Sequence, residues 1–262
     1  SLGVIAEKII VINPGIEPVE KIDDKYLKEA EKLLKGKNPR LITVSRYDKR
    51  KSHDKIIVIN PGIEPVENLN NESLKEAEKM LKGKSPRLIT VSRYDKRKSH
   101  EKIIMALRNL KQNYPNIIYT SIGYGDEEEN VKKLAKELGL DKQVLFLKNI
   151  SLELKNALVA KSHVFVMPSV TFKKSVEGFG IAYIEAAQFG IPSIGGKDGG
   201  AADAIKDNET GLICDGNNLD EIYSSINSIL KNNSYKEFGI KAKEYSLNFH
   251  WDKIIKEYLK LL

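Results

Sequence analysis

The chain has 262 residues, of which 41% are hydrophobic and 30% charged, and its formal net charge is +7. This length is enough for one large domain or two small ones with a sizeable core, and the composition excludes disordered and collagen-like classes. We find no apolar run of the roughly 18 residues that a membrane-spanning helix requires, and we expect no signal peptide. The basic charge favours an anionic partner, which could be nucleic acid, an anionic membrane surface or a phosphorylated small molecule.

The first hundred residues contain one segment twice. Residues 8–54 and 55–101 match at 38 of 47 positions, and six of the nine differences fall in residues 21–26 against 68–73. We interpret this repeat as a tandem duplication. Each copy ends in a short apolar run that predicts a β-strand, and only one such strand can occupy its place in a sheet.

The second copy continues directly into the next predicted helix, so we expect residues 55–262 to form the core domain. Residues 1–54, the first copy with its lead-in, are then extra to that fold. The first copy carries a predicted helix at residues 26–35 and a predicted strand at residues 41–45. An unpaired strand can add to a sheet edge or swap into a neighbouring molecule, which would give a homo-oligomer.

Beyond residue 85, short apolar runs alternate with helical stretches. The pattern predicts strands at residues 88–92, 116–123, 143–147, 163–168, 192–196 and 211–215, with a helical segment over about the last fifty residues. Runs that are apolar on both faces and separated by helices indicate a parallel sheet covered on each side. We therefore predict an α/β, Rossmann-like, doubly wound parallel sheet, in which ligands bind beyond the carboxyl ends of the strands.

The loops after the predicted strands combine glycine with charge. Gly178 and Gly180 lie where the helix after the fourth strand is predicted to begin, and a helix N-terminus with exposed backbone amides is suited to phosphate. Arg93 and Lys98 in the loop after the first strand supply positive charge. Glu185 follows Glu177 by eight positions, slightly more than two helical turns, which makes Glu185 a candidate acceptor for ribose hydroxyls.

Other motifs argue against several function classes. The glycines at positions 123 and 125 lack a third glycine at the spacing of a dinucleotide-binding dehydrogenase. A nucleic-acid module stays open because of RYDKRK, but we expect no nucleic acid, since Tyr47 and Tyr94 are the only stacking side chains there. The four histidines lack metal-ligand spacing, so we predict no metal site. The single cysteine, Cys214, is expected in the core and fits a cytoplasmic protein.

These motifs, from SRYDKRKSHEKIIMAL through EGFGIAYIEAAQFG to TGLICD, occur in an order that resembles the C-terminal, donor-binding domain of family 4 (group 1) retaining glycosyltransferases with the B-type fold. The resemblance covers roughly residues 85–250. It implies that the chain binds a nucleotide-diphosphate sugar, linked to UDP, GDP or ADP, for retaining glycosyl transfer without a metal ion or another cofactor. Residues 1–84 resemble no acceptor-binding domain, so we expect the N-terminal acceptor domain to be missing and the isolated chain to transfer little.

The resemblance also implies roles for individual residues. Arg93, Lys98 and Glu177 would act at the transferred sugar and the leaving diphosphate. The donor would be bound by Gly123, Leu147, Lys148, Ile150, Gly178, Phe179, Gly180, Ile181 and Glu185. Asp203 replaces the glutamate that the family usually carries, and we expect it to cap the following helix. A non-catalytic nucleotide-sugar binding or regulatory module stays open as an alternative, and we predict a cytoplasmic location with peripheral membrane contact as an option.

Overall fold

The structure is a computed structural model that describes residues 60–173 and 175–259. The first copy of the repeat, its predicted helix and strand, the boundary predicted between residues 54 and 55, and the predicted oligomer through this copy all lie outside the described residues.

Within these two ranges, six strands form one parallel sheet. They are β1 (Arg87–Val91), β2 (Ile118–Ile122), β3 (Val144–Leu147), β4 (Val164–Met167), β5 (Ser193–Gly196) and β6 (Gly211–Cys214). Their order in the sheet is β3-β2-β1-β4-β5-β6, and every neighbouring pair is parallel. The chain winds outward from β1 in one direction and from β4 in the other. The predicted Rossmann-like doubly wound sheet is thus confirmed.

Helices cover both faces of this sheet. In chain order they are α1 (Asn71–Leu81), α2 (His100–Asn113), α3 (Glu128–Glu137), α4 (Leu152–Ala160), α5 (Ile181–Ala187), α6 (Ala201–Ala204), α7 (Leu219–Leu230), α8 (Tyr235–Ser246) and α9 (Trp251–Leu259). One core contains buried residues of α1, α4 and α5, and a second contains those of α2, α3 and α7. Ile89 belongs to the first core and its neighbour Leu88 to the second, which explains why the strand is apolar on both faces.

The second copy of the repeat supplies both α1 and β1. The Asn70 side chain caps α1 by accepting hydrogen bonds from the amides of Glu72 (2.7 Å) and Ser73 (3.3 Å). Arg87, at the start of β1, donates to both carboxylate oxygens of Glu78 on α1, at 3.0 and 2.5 Å. This bidentate pair lowers the pKa of Glu78 and fixes the helix to the strand.

The prediction that Asp203 caps a helix is wrong. The helix after β5, α6, begins after Gly200, and Asp203 lies inside its single turn. Gly200 occupies the cap position because a Cβ there would overlap the carbonyl oxygen of Gly178. The backbone carbonyl of Asp203 instead accepts a hydrogen bond from the Tyr245 hydroxyl at 3.0 Å.

Along the described stretches of the chain, no helix is long and apolar enough to cross a bilayer.

Candidate functional site

The candidate site lies at the carboxyl edge of the sheet, where the order of the strands reverses between β1 and β4. The loops after these two strands are in direct contact, since the amide of Val170 donates to the carbonyl of Arg97 at 2.8 Å. The loop after β2 packs equally close to the β1 loop, because a Cβ at Gly123 would overlap the carbonyl oxygen of Ser92. The loop after β5 is joined to the β4 loop by a hydrogen bond from the Gly200 amide to the Glu177 carbonyl at 2.9 Å.

A buried ionic cluster connects the β1 loop to the β4 loop. One carboxylate oxygen of Glu177, Oε2, accepts hydrogen bonds from Arg97 Nη1 at 2.9 Å, from Lys98 Nζ, and from Ser169 Oγ at 3.0 Å. Glu177, Arg97 and Lys98 are only 7–8% exposed. Two cations therefore share the Glu177 carboxylate away from water, which leaves these three side chains with one positive charge in excess, partly offset by Asp95, whose Oδ2 lies 3.8 Å from Arg97 Nη2.

Burial and the neighbouring charges together determine the direction of the pKa shifts of Glu177 and Lys98. Burial by itself raises the pKa of Glu177, but Lys98, Arg97 and the Ser169 hydroxyl outweigh burial, so the net pKa lies below its usual value. Burial also lowers the pKa of Lys98, and the neighbouring Arg97 lowers it further, against the opposing effect of Glu177. The carboxylate is thus fully ionised at neutral pH, and the cluster can accept a further anion.

Arg93, predicted to bind the diphosphate, lies at the rim of this site. Its side chain is 69% exposed, and its Nη2 is 3.8 Å from Oδ2 of Asp95. Arg97 Nη2 lies at the same distance from that oxygen. The structure therefore brings Lys98 and Glu177 into contact as predicted residues of one site, and it leaves Arg93 free to turn toward a ligand.

A cavity of about 370 Å³ adjoins the cluster on the side of Arg93. Its lining includes Phe172, three acidic side chains and four basic ones, namely Arg93, Lys96, Arg97 and Lys173. The ammonium groups of Lys96 and Lys173 each lie 5.7 Å from the centre of the Phe172 ring. The mouth of the site is therefore lined by charged side chains of both signs, with one more basic than acidic.

The loop from β4 into α5 carries three of the predicted binding residues, Gly178, Phe179 and Gly180, and α5 itself carries two more, Ile181 and Glu185. Gly180 adopts a left-handed conformation (φ 79°) before α5, and a side chain there would overlap the ring of Tyr183. Phe179 points into the core, with its ring centroid 5.3 Å from that of Phe249, whereas Ile181 is 40% exposed. On α5, Glu185 Oε2 is 3.1 Å from Lys155 Nζ and its side chain is partly exposed.

The remaining predicted residues lie at the ends of β2 and β3. The amide of Gly123 donates to the carbonyl of Leu147 at 3.0 Å, so these two strand ends are directly joined. Leu147 and Ile150 pack against the core on the α1 side. Lys148 Nζ lies 3.4 Å from Glu128 Oε1 at the start of α3. These contacts place the residues at the same edge of the sheet, and their predicted roles toward a nucleotide stay predictions.

Arg97 was not among the predicted site residues, although this side chain makes one of the three hydrogen bonds to Glu177 Oε2. Its position next to Lys98 in RYDKRK was a signal for basic charge but not for burial. Residues Lys96–Lys98 form a single 3₁₀ turn that ends at Ser99, which has a left-handed conformation (φ 55°). This turn directs both Arg97 and Lys98 inward.

Two further predictions concern cysteine and metal binding. Cys214 is buried in the core beside α7, as predicted, and burial raises the pKa of its thiol to about 12. Among the residues for which the structure gives positions, no group of three or more His, Cys, Asp or Glu side chains could hold a metal ion.

Comparison with protein families gives a match to the model described as glycosyl transferases group 1, over residues 71–245. A GDP-mannose-dependent α-(1-6)-phosphatidylinositol monomannoside mannosyltransferase of Mycolicibacterium smegmatis is 31% identical over 150 residues, which are 56% of this chain and 39% of that protein. An uncharacterized glycosyltransferase of Methanocaldococcus jannaschii is 29% identical over 147 residues, 55% of this chain and 36% of its own. The chain thus spans less than half the length of these curated relatives.

Solved structures of similar fold include HepE of Anabaena in complex with UDP and glucose. Its TM-score is 0.68 at 20% identity, and the match covers 79% of this chain and 57% of HepE. The C-terminal domain of the group 1 glycosyl transferase LpcC from Francisella tularensis has a TM-score of 0.56 at 20% identity, covering 74% of this chain and 95% of that domain. At these identities the likeness concerns the fold.

Proposed function

Because the chain belongs to the group 1 glycosyltransferase family, we propose that it is the donor-binding part of a retaining, metal-independent glycosyltransferase and binds a nucleotide-diphosphate sugar. The observation that carries this proposal is the buried cluster of Arg97, Lys98 and Glu177 between the loops after β1 and β4. In open α/β sheets, ligands bind in the crevice where the strand order reverses. The cluster lies at that crevice and has positive charge in excess.

In the proposed reaction, Lys98 and Arg97 hold the leaving diphosphate. Negative charge builds up on the diphosphate as its bond to the sugar breaks, and two fixed cations in a buried site stabilise that charge more than water does. Arg93 would close over the ligand from the rim. Glu177 keeps the two cations in place and, by resemblance to the family, faces the transferred sugar, while the partly exposed Glu185 would accept hydrogen bonds from ribose hydroxyls.

The comparisons support a nucleotide sugar without fixing its base. HepE was solved with UDP and glucose, whereas the mycobacterial relative is named as dependent on GDP-mannose. We therefore propose a thermal-shift screen of the full chain with UDP, GDP, ADP and their sugar conjugates. A ligand present at a hundred times its Kd should stabilise the folded chain by about 2.7 kcal/mol.

The matched pair Lys98→Met and Lys241→Met links this screen to the site. Lys241 forms an exposed pair with Glu237 on α8, so its replacement removes one positive charge outside the cluster. We expect Lys98→Met to abolish stabilisation by nucleoside diphosphates and Lys241→Met to retain it. Absence of any nucleotide-dependent shift in the unmodified chain, or an unchanged shift in Lys98→Met, would contradict the proposal.

We also propose that this polypeptide alone binds the donor and transfers its sugar slowly. The second candidate function is a non-catalytic nucleotide-sugar binding module. Release of nucleoside diphosphate from the donor, measured with added acceptors, separates the two functions. Turnover by the chain alone at about 1 s⁻¹ or faster, the range of ordinary enzymes, would contradict slow transfer.

We propose a cytoplasmic protein that also contacts an anionic membrane surface, and the net charge of +7 supports the second part of this proposal. Cosedimentation with phosphatidylserine vesicles, compared with phosphatidylcholine vesicles, tests this part of the proposal. Binding to the anionic vesicles should weaken as salt is added, because exposed charges are screened within about 10 Å at 0.1 M salt.

A further inference from the structure

A network of buried polar side chains lies directly beneath the β1 loop. Its members come from β1, β2, the β1 loop and the start of α2, and all are at most 2% exposed: Thr90, Tyr94, His100, Tyr119 and Ser121. Buried polar groups of this kind need hydrogen-bond partners, and such networks specify one local arrangement when every member is satisfied. None of these side chains has a role in the donor site described above.

The hydrogen bonds of the network run from the strands of the sheet to His100. The Tyr119 hydroxyl donates to Thr90 Oγ1 at 2.9 Å, and Thr90 in turn donates to the carbonyl of Val166 on β4. The Tyr94 hydroxyl donates to Ser121 Oγ at 2.7 Å, and Ser121 Oγ lies 3.3 Å from His100 Nδ1. The network therefore connects three strands of the sheet to the imidazole of His100.

His100 connects this network to the backbone of the anion site. Its Nε2 lies 3.3 Å from the carbonyl oxygen of Arg93 and 3.0 Å from Ser92 Oγ. A neutral imidazole has one donor and one acceptor nitrogen. The partners fit a tautomer in which Nδ1 accepts from Ser121 and the Nε2 proton is donated to the Arg93 carbonyl.

We propose that His100 is a positioning residue, whose hydrogen bond to the Arg93 carbonyl fixes the β1 loop so that Arg93, Arg97 and Lys98 meet the diphosphate together. This inference rests on the proposed function. The Tyr94 ring, whose centroid is 4.4 Å from that of His100, packs on the same imidazole and belongs to the same loop. His100 is therefore held from both the sheet and the loop.

The geometry of the loop shows why such an anchor matters. The Arg93 side chain is mostly exposed and has only a long contact to Asp95, so it does not fix the loop. The backbone is held at the next residue, where the Tyr94 amide donates to the Tyr124 carbonyl at 2.9 Å, and the Arg93 carbonyl also accepts from the Asp95 amide at 3.0 Å, so His100 adds a side-chain hydrogen bond from α2 to that carbonyl. The chain then passes through the 3₁₀ turn at Lys96–Lys98 and the left-handed Ser99 before α2 begins at His100. A shift of the Arg93 backbone would therefore move the first cation relative to the buried Arg97 and Lys98.

The test compares His100→Gln with His100→Asn in the full chain. The amide nitrogen of glutamine reaches about as far as Nε2 and can donate to the Arg93 carbonyl, whereas that of asparagine is one carbon shorter. We expect His100→Gln to bind inorganic pyrophosphate within about threefold of the unmodified chain and His100→Asn to lose about tenfold or more. Tyr114→Phe, which removes a hydroxyl that donates to Asn227 Oδ1 on α7 and makes no hydrogen bond to His100 or Arg93, should stay within about threefold.

Amide hydrogen exchange without ligand provides a second readout. In folded His100→Asn, the amides of residues 93–99 should exchange about tenfold faster than in His100→Gln, while those of β2 stay unchanged. Equal exchange in the two variants would overturn the positioning role. If the unmodified chain binds neither pyrophosphate nor nucleotides, the proposed function fails, and the exchange comparison still decides the role of His100.

Discussion

Replacing Glu177 by glutamine should destabilise the free protein more than replacing Lys98 by methionine. Glu177→Gln removes the carboxylate that accepts from both buried cations and leaves Arg97 only its longer contact of 3.8 Å to Asp95, and uncompensated buried charge costs about 3–5 kcal/mol of unfolding free energy. Lys98→Met leaves a balanced pair, because Arg97 and Ser169 still donate to Glu177. It removes one charged hydrogen bond, which contributes about 1.5–3 kcal/mol.

Urea unfolding of the full chain measures this difference, since the extrapolated free energy of each variant can be compared at equal slope. Glu237→Gln is the matched control, because Glu237 is paired with Lys241 on the surface of α8 and its loss should cost less than about 1 kcal/mol. Pyrophosphate should narrow the gap between the two site variants, as its charge compensates the cations left by Glu177→Gln. If Lys98→Met proves as destabilising as Glu177→Gln or more so, the excess of positive charge is refuted.

Three further predictions follow from single positions. Burial lowers the pKa of His100 to about 4 from an ordinary 6.5, so as the pH falls the imidazole is protonated in the unfolded chain before it is protonated in the folded chain. The free energy of unfolding should therefore fall by about 3 kcal/mol as the pH drops from 6.5 to 4. Urea unfolding across that pH range should show this loss in the unmodified chain and a shallower slope in His100→Gln. Gly200→Ala should lower the free energy of unfolding by about 1–3 kcal/mol and weaken nucleotide binding, because the added Cβ overlaps the Gly178 carbonyl. Gly139→Ala is the control: its Cβ meets no atom within 4 Å, so it should cost about 1 kcal/mol from its positive φ alone and leave nucleotide binding unchanged. Cys214, with a buried thiol whose pKa is raised to about 12, should react with iodoacetamide only after denaturation, and rapid labelling of the native chain would contradict its burial.

The fold could be predicted because its strands carry a strong local signal. Leu88 and Ile89 face opposite cores, so the strand is apolar at consecutive positions, and the same holds for Val164 and Phe165 in β4. Such runs between helices leave few alternatives to a covered parallel sheet. The position of the site followed from the fold, since parallel strands bring the ends of β1 and β4 to one edge.

The contacts inside the site were harder to predict, because they depend on turns and long-range packing. Local sequence does not show that a 3₁₀ turn directs Arg97 inward together with Lys98 while Arg93 stays at the rim. Nor does it show that the side chain of Phe179, in a glycine-rich loop, packs on Phe249 some seventy residues later. A binding role for Phe179 is therefore restricted to its backbone, which is the role that the family resemblance implies.

The two copies of the repeat differ at one position that is buried in the second copy. Six positions of α1 and β1 are buried in the second copy, and all but one hold the same residue 47 positions earlier, in the first copy. The six are Ser73, Ala77, Leu81, Leu88, Ile89 and Thr90. The exception is Ser73, which is 9% exposed and corresponds to Tyr26 in the first copy. A tyrosine would add a ring at a position with little free space, and overpacking of this kind costs about 1–3 kcal/mol. Side-chain fit at one position and the direct continuation into α2 therefore both favour the second copy, the one that supplies β1 and the basic loop of the candidate site.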